Sequence, residues 1–259
     1  MRQHEVFILT PIEKLLGEAA LATACLESGM STYPIFDYVI QSLFLKMTGF
    51  QEQKLKCITW ELATDDYEYR YEKFGHGYIG ECSTLKDKNS VFNGLIKQIN
   101  KKKVDYSKID DNERKRIVAD SIDVLDDFLE NSRLKGWAGR QYVEYKKLVK
   151  VWSETCFYST HNDLLGHCEN CRLKSSAPDG SSCKYGTMSD LYTVIYQHRN
   201  RCAHNTTSYL QNLPVLDFID RDIYSFENYF LHFAVLIIID KIFITLFKRY
   251  LELYTHFSL

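Results

Sequence analysis

The run Tyr229–Phe247, YFLHFAVLIIIDKIFITLF, constrains this chain more than any other segment. It is long and apolar enough to span a bilayer. However, it carries His232, Asp240 and Lys241, and charges near the centre of a bilayer are costly. A helix that is apolar on most faces and charged in the middle reads instead as the core helix of a bundle, here from about Asp222 to Tyr254. No membrane partner is expected. Other helices must then cover this one, and the chain has the means: 45% of its residues are hydrophobic, while Gly (12) and Pro (4) are scarce among 259. That balance disfavours a turn-rich all-β fold and excludes disordered and low-complexity classes.

Apolar residues recur at helical spacing through most of the sequence. Thr10-Pro11 reads as an N-cap with Pro at the first helical position, opening a helix to about Ser28. A second apolar stretch runs from Tyr33 to Met47 and ends at Gly49, and a short helix is expected over Asn89–Asn100. Asp111–Arg133 is amphipathic, with Ile117, Ile122, Val124, Leu125, Phe128 and Leu129 in one stripe; Gln141 to about Leu165 continues the pattern. One region is ambiguous. Cys57–Leu62 and Tyr67–Phe74 alternate around Thr64-Asp65-Asp66, which fits a small β-hairpin as well as a helix. The fold class is therefore mainly α, a single helical domain over 1–259, with a Cys-rich loop inserted at 161–186.

Lys+Arg number 32 and Asp+Glu 34, so the net charge is −2 and any nucleic-acid contact needs a local patch. The first ten residues hold only Val6–Leu9 as an apolar stretch before Pro11, too short for a secretory h-region. With no such signal, the eight cysteines are expected as reduced thiols in a cytoplasmic protein. Cys168, Cys171 and Cys183 have spacing suited to a structural zinc knuckle, in a stretch with few apolar residues to order it. The fourth ligand is open among His161, His167, Cys156, His198 and Cys202, and free thiols in a loop are the plain alternative. Gly75-His76-Gly77-Tyr78-Ile79-Gly80 matches a dinucleotide fingerprint but lacks the βαβ context, and reads as a turn.

The segment around Arg199 stands out. Met188, Tyr192 and Ile195 form an apolar stripe on which Arg199 falls next, and a guanidinium facing a core or an interface needs a partner. His204 follows five residues later, rotated by roughly 140° on a helix. Asn200 lies four residues before His204 and can orient its imidazole. Arg70 with His76, and Arg249 with His256, have similar spacing, but neither has Asn after the Arg.

Arg199-Asn200-Arg201-Cys202-Ala203-His204 resembles the R-x4-H motif of HEPN domains, including the polar residue that often follows the Arg. The resemblance covers this hexapeptide, its helix and the long helix that follows. It implies a HEPN-like helical bundle that forms a homodimer, whose paired motifs make one composite endoribonuclease site. No cofactor is implied for catalysis. Arg199, Asn200 and His204 are the implied catalytic residues: His204 as general acid or base, Arg199 on the scissile phosphate. The products would be a 2′,3′-cyclic phosphate and a 5′-hydroxyl. Many such proteins are toxins or antiviral defence effectors, some held by an antitoxin that modifies a Tyr two residues past the His. Here that position is Thr206, which puts that partnership in doubt and leaves another antitoxin or regulatory protein open. For RNA contact the candidates are His198 and Arg201 beside the motif, and Arg140, Lys146 and Lys147 in Arg133–Lys150. That stretch has a net charge of +5 with Trp137, Tyr142 and Tyr145 interleaved; a solvated helix face with buried aromatics is the alternative. A non-catalytic helical interaction or RNA-binding module is the rival reading of the whole chain.

Overall fold

The computed structural model describes residues 2–26, 32–75, 80–155, 163–165, 188–204 and 228–255. The described residues are mainly helical and include no strand. In chain order the helices are α1 (Glu5–Leu9), α2 (Lys14–Thr23), α3 (Tyr33–Asp65), α4 (Tyr67–Phe74), α5 (Leu85–Lys102), α6 (Asp111–Glu130), α7 (Leu134–Thr155), α8 (Met188–His204) and α9 (Tyr229–Thr255).

The apolar run is the buried axis of the bundle. Helix α9 packs against α1, α3, α5, α6, α7 and α8, and 89% of its most apolar window is buried. Its start is fixed by Asn228, whose Oδ1 accepts from the Phe230 N–H at 3.0 Å while its Nδ2 donates to the Gln141 carbonyl of α7. One side chain thus caps α9 and ties it to a neighbour.

Helix α3 presents one buried ladder along its length: Phe36, Ile40, Leu43, Met47, Gln51, Leu55, Ile58 and Leu62. Steps of three and four residues put these on one face. That continuity carries the helix through Gly49, where the sequence suggested an end. Of the two readings left open for Cys57–Phe74, helix is the one observed. Ile58 and Leu62 are buried one turn apart with Trp60 exposed between them. Tyr69 is buried while Tyr67 and Tyr71 face outward, and Asp66 Oδ1 caps α4 by accepting from the Tyr69 N–H at 2.9 Å. The alternation seen in sequence is a helical pattern sampled at every second residue. Burial would raise the Asp66 carboxyl, but Lys101 and the Tyr69 amide outweigh it and hold the pKa down to about 2.

Helix α5 starts earlier than expected because Thr84 and Asp87 form a capping box: Thr84 Oγ1 accepts from the Asp87 N–H at 3.2 Å, and the Asp87 carboxylate returns to Thr84. The helix also runs past the expected end at Asn100, and Lys101 and Lys102 complete its last turn, where cations suit the helix dipole. Gly94 lets α4 approach: a Cβ there would lie 2.6 Å from the Tyr69 hydroxyl.

The N-terminal segment departs from expectation for a backbone reason. Thr10 precedes proline, adopts an extended conformation and ends α1 instead of opening a long helix. Residues 10–12 then insert their polar backbone groups into the core. Lys54 Nζ donates to the Thr10 carbonyl at 2.7 Å and pairs with Asp240 Oδ1 at 2.5 Å, while Asp240 Oδ2 accepts from the Ile12 N–H at 2.9 Å. Both charged side chains are buried. Burial pushes the Asp240 carboxyl up and the Lys54 ammonium down, and each partner opposes the shift of the other.

Removing one member of this pair strands a buried charge. Asp240→Ala is expected to cost about 3–5 kcal/mol. The double change Lys54→Met with Asp240→Leu is expected to cost clearly less. Urea denaturation of the three proteins checks both; equal losses for single and double variants would show that the pair carries no coupling.

Candidate functional site

Helix α8 lays Leu191, Tyr192, Ile195 and His198 into the core. This places Arg199 on the shoulder of the helix, where it meets α3. Arg199 Nη2 lies 3.2 Å from Glu52 Oε2, with the two side chains 22% and 12% exposed. Its Nη1 donates to Asn200 Oδ1 at 3.1 Å. The partner that the buried-side guanidinium requires is therefore Glu52, with Asn200 bracing the second nitrogen. Burial raises the Glu52 carboxyl, opposed by Arg199 and by Lys88.

Lys88 is the third member. Its side chain is fully buried in α5 and donates to the Cys82 carbonyl at 3.1 Å. The ammonium lies 5.4 Å from the centre of the Tyr192 ring. The Tyr192 hydroxyl donates to the Ser83 carbonyl at 2.8 Å, so α8 grips the segment that leads into α5. Burial lowers the Lys88 pKa to about 8, against the pull of Glu52. Cys82 holds a positive φ of 58°, a backbone state that non-glycine residues rarely adopt. The site thus joins α3 and α8 through the partly exposed Glu52–Arg199 pair, and Lys88 of α5 packs beneath the Tyr192 ring of α8.

Glu52 and Lys88 escaped the sequence reading. Each leaves one weak signal, a charge beside buried apolar positions: Glu52 lies three residues before Leu55 on α3, and Lys88 three before Val91 on α5. The pairing itself spans 147 residues and has no local signature.

The other predicted residues fall as follows. His204 is the last residue of α8, and its side chain lies outside the described atoms, as do those of Arg140 and Trp137. Arg201 is partly buried. His198 is fully buried, which corrects its assignment as an RNA contact: its Nε2 lies 2.9 Å from the Tyr229 hydroxyl and 3.5 Å from Cys202 Sγ, and its ring packs against those of Phe44 and His232. Burial, helped by His232 and Arg201, holds its pKa at about 3, and burial raises that of Cys202 to about 11. Lys146 is paired with Asp126, and Lys147 with Glu144 at 2.7 Å; both remain solvent-accessible. Tyr145 is fully buried, edge-on to Phe230, so it is not a stacking surface. Arg249 of the competing Arg–His pair donates from Nη2 to both Glu113 oxygens, at 2.7 and 2.6 Å, a tie between α6 and α9.

Cys168, Cys171 and Cys183, with His161, His167 and Cys156, lie outside the described residues, as does 76–79 of the glycine motif. Gly75 itself ends α4. Among the described residues no group of three or more His, Cys, Asp or Glu is placed to hold a metal.

His198 gives a pH test of this core. Its folded pKa of about 3 lies below the unfolded value near 6.5, so the unfolded state binds more protons between the two. Stability should therefore fall as pH drops below about 6.5. Relative to His198→Gln, the wild-type chain is expected to lose roughly 2 kcal/mol more between pH 7 and 4.5. Denaturation at both pH values checks this; parallel losses would show that the imidazole is already charged in the fold.

Comparison with protein families, with curated proteins and with solved structures finds no match to this chain.

Proposed function

We propose that this chain is a metal-independent endoribonuclease of the HEPN type, working as a cytoplasmic homodimer in a toxin or antiviral defence role. The observation that carries the reading is the Arg199 guanidinium, held by Asn200 and Glu52 at a partly exposed rim of a helical bundle. Such a group is braced on one side and open on another, as phosphate recognition requires. His204 follows on the same helix.

In the proposed reaction the 2′-oxygen of the ribose attacks the adjacent phosphorus, and the bond from phosphorus to the 5′-oxygen breaks. One imidazole takes the 2′-hydroxyl proton and another protonates the leaving 5′-oxygen, so a paired site supplies both roles. Imidazole suits either role because its ordinary pKa is near neutrality. Arg199 stabilises the charge that gathers on the phosphoryl oxygens. The products are a 2′,3′-cyclic phosphate and a 5′-hydroxyl. Lys146 and Lys147 are proposed to track the phosphate chain. A regulatory or antitoxin partner that restrains the activity belongs to the same proposal, as does a zinc knuckle at Cys168, Cys171 and Cys183.

One observation favours the rival, a non-catalytic binding module: Arg199 already has a carboxylate partner, so its role can end with that ion pair. Cleavage separates the two. Purified protein in EDTA is expected to cut single-stranded RNA and leave cyclic phosphate ends. His204→Ala and Arg199→Lys are each expected to lower the rate by about 10²–10⁴-fold with the fold retained by circular dichroism. Cleavage unchanged in both variants, or strictly dependent on added metal, overturns the mechanism.

A further inference from the structure

Where α3 gives way to α4, Trp60, Ala63 and Thr64 of α3 and Arg70 and Phe74 of α4 line a notch of about 120 Å³. The indole of Trp60 and the ring of Phe74 meet at 89°, with centroids 5.9 Å apart. Trp60 is 48% exposed, although the bundle has a large core in which to bury an indole. Thr64 Oγ1 donates to the Trp60 carbonyl at 2.9 Å, which leaves its own lone pairs open to a donor. Arg70 is exposed and makes no side-chain hydrogen bond or ion pair among the described residues. No carboxylate among them lines the notch. The nearby acids are taken elsewhere: Asp66 caps α4 and pairs with Lys101, Asp65 pairs with Arg2, Glu72 lies 3.3 Å from Lys97, and Glu68 lies 3.5 Å from Lys101.

Two ring faces at a right angle suit a flat guest, which stacks on one and sets its edge against the other. A free guanidinium on the rim offers a fork of donors to a phosphate, and the Thr64 oxygen accepts from an amino group. One nucleotide supplies all three features: a π-face, an N–H edge and a phosphate. We propose that this notch is a subsite for an unpaired base of single-stranded RNA, stacked on Trp60, with Arg70 on an adjoining phosphate. The inference deepens the reading of the chain as an RNA-cleaving enzyme and rests on it. Trp60 follows Glu52 by eight residues on α3, roughly 12 Å along the axis and about 80° around it. At a stacked rise of about 3.4 Å, roughly three nucleotides reach from the Glu52–Arg199 pair to the notch. Lys56 and Glu81 act on Glu52 with opposite signs and cancel there, so the notch supplies its own attraction.

The probe is a fluorescently labelled 2′-O-methyl oligonucleotide of about eight nucleotides. It lacks the attacking 2′-hydroxyl, so binding is read apart from cleavage. An abasic oligomer of the same length and charge is the second probe. Dissociation constants are measured by anisotropy at several salt concentrations for the full-length wild type, Trp60→Ala, Trp60→Phe, Arg70→Ala and Arg70→Lys. Circular dichroism and sedimentation velocity follow the fold and the oligomeric state of every variant.

Trp60→Ala is expected to weaken binding of the intact oligonucleotide by about five- to a hundred-fold, and Trp60→Phe by far less, because a stacking ring remains. The abasic oligomer should bind wild type and Trp60→Ala alike. Arg70→Ala should flatten the dependence of log affinity on log salt by about 0.7, the loss of one phosphate contact, while Arg70→Lys keeps it. If Trp60→Ala fails to fold, Arg70→Ala and the preference of the wild type for the intact over the abasic oligomer decide. Equal affinity in wild type and Trp60→Ala, or an unchanged salt dependence in Arg70→Ala, overturns the inference. So does a Trp60→Ala variant that changes its oligomeric state but not its affinity, which makes the notch a protein contact. Trp60-dependent binding by a chain that cuts no RNA leaves the notch standing and removes the nuclease reading. RNA cleavage with binding indifferent to Trp60 and Arg70 does the reverse.

Discussion

Asp240 sits in the most apolar helix of the chain, surrounded on nearly every side, and the architecture follows from how that carboxylate is satisfied. Lys54 of α3 meets one oxygen and the Ile12 amide meets the other, while Lys54 also takes the Thr10 carbonyl. Apolar contacts alone would let α3 and α9 slide by a turn at modest cost, since leucine, isoleucine and phenylalanine pack in many registers. A buried charge permits one register only. The pair therefore sets how α3 and α9 align, and it decides where the strand of chain between α1 and α2 must lie. The remaining helices cover what this three-way contact leaves open.

The Arg199 region uses the same elements of charge with more exposure. At Asp240 one cation meets one anion, both sealed from water, with backbone groups completing the set. At Glu52 one cation, Arg199, meets the anion, and that pair is partly exposed. A sealed, balanced pair has nothing left to offer a ligand. A partly exposed pair does. Arg249, comparably exposed, is bonded more fully: it spends its guanidinium on Glu113 and on the carbonyls of Tyr106 and Lys108.

Much of the fold was legible because helical periodicity is a local property. The core role of α9 could be read from the charges that spoil it as a membrane span, and the stripes of α6 and α8 from their spacing. What failed were decisions made by packing. Gly49 sits inside a helix because the buried ladder from Phe36 to Leu62 continues past it. The Tyr67–Tyr71 alternation fitted strand and helix equally, and the Asp66 cap decides for helix. At the site, the misplaced guanidinium of Arg199 was visible in sequence, whereas its answer was not. Glu52 and Lys88 lie on other helices, and only the tertiary fold brings them to it. His198 was misjudged for the opposite reason: proximity to the motif suggested contact with RNA, but one step around the helix turns its ring into the core.

The tie between Ile12 and Asp240 joins residues 228 positions apart. On the ribosome, the first partner emerges long before the second has been made. Through most of synthesis Lys54 and the Thr10–Ile12 backbone have no Asp240 to meet, and the helices that will surround α9 have no axis to pack on. Contacts so distant in sequence form slowly, because a large loop must close before they add stability. The nascent chain therefore carries exposed amphipathic faces until the segment Tyr229–Thr255 emerges to cover them.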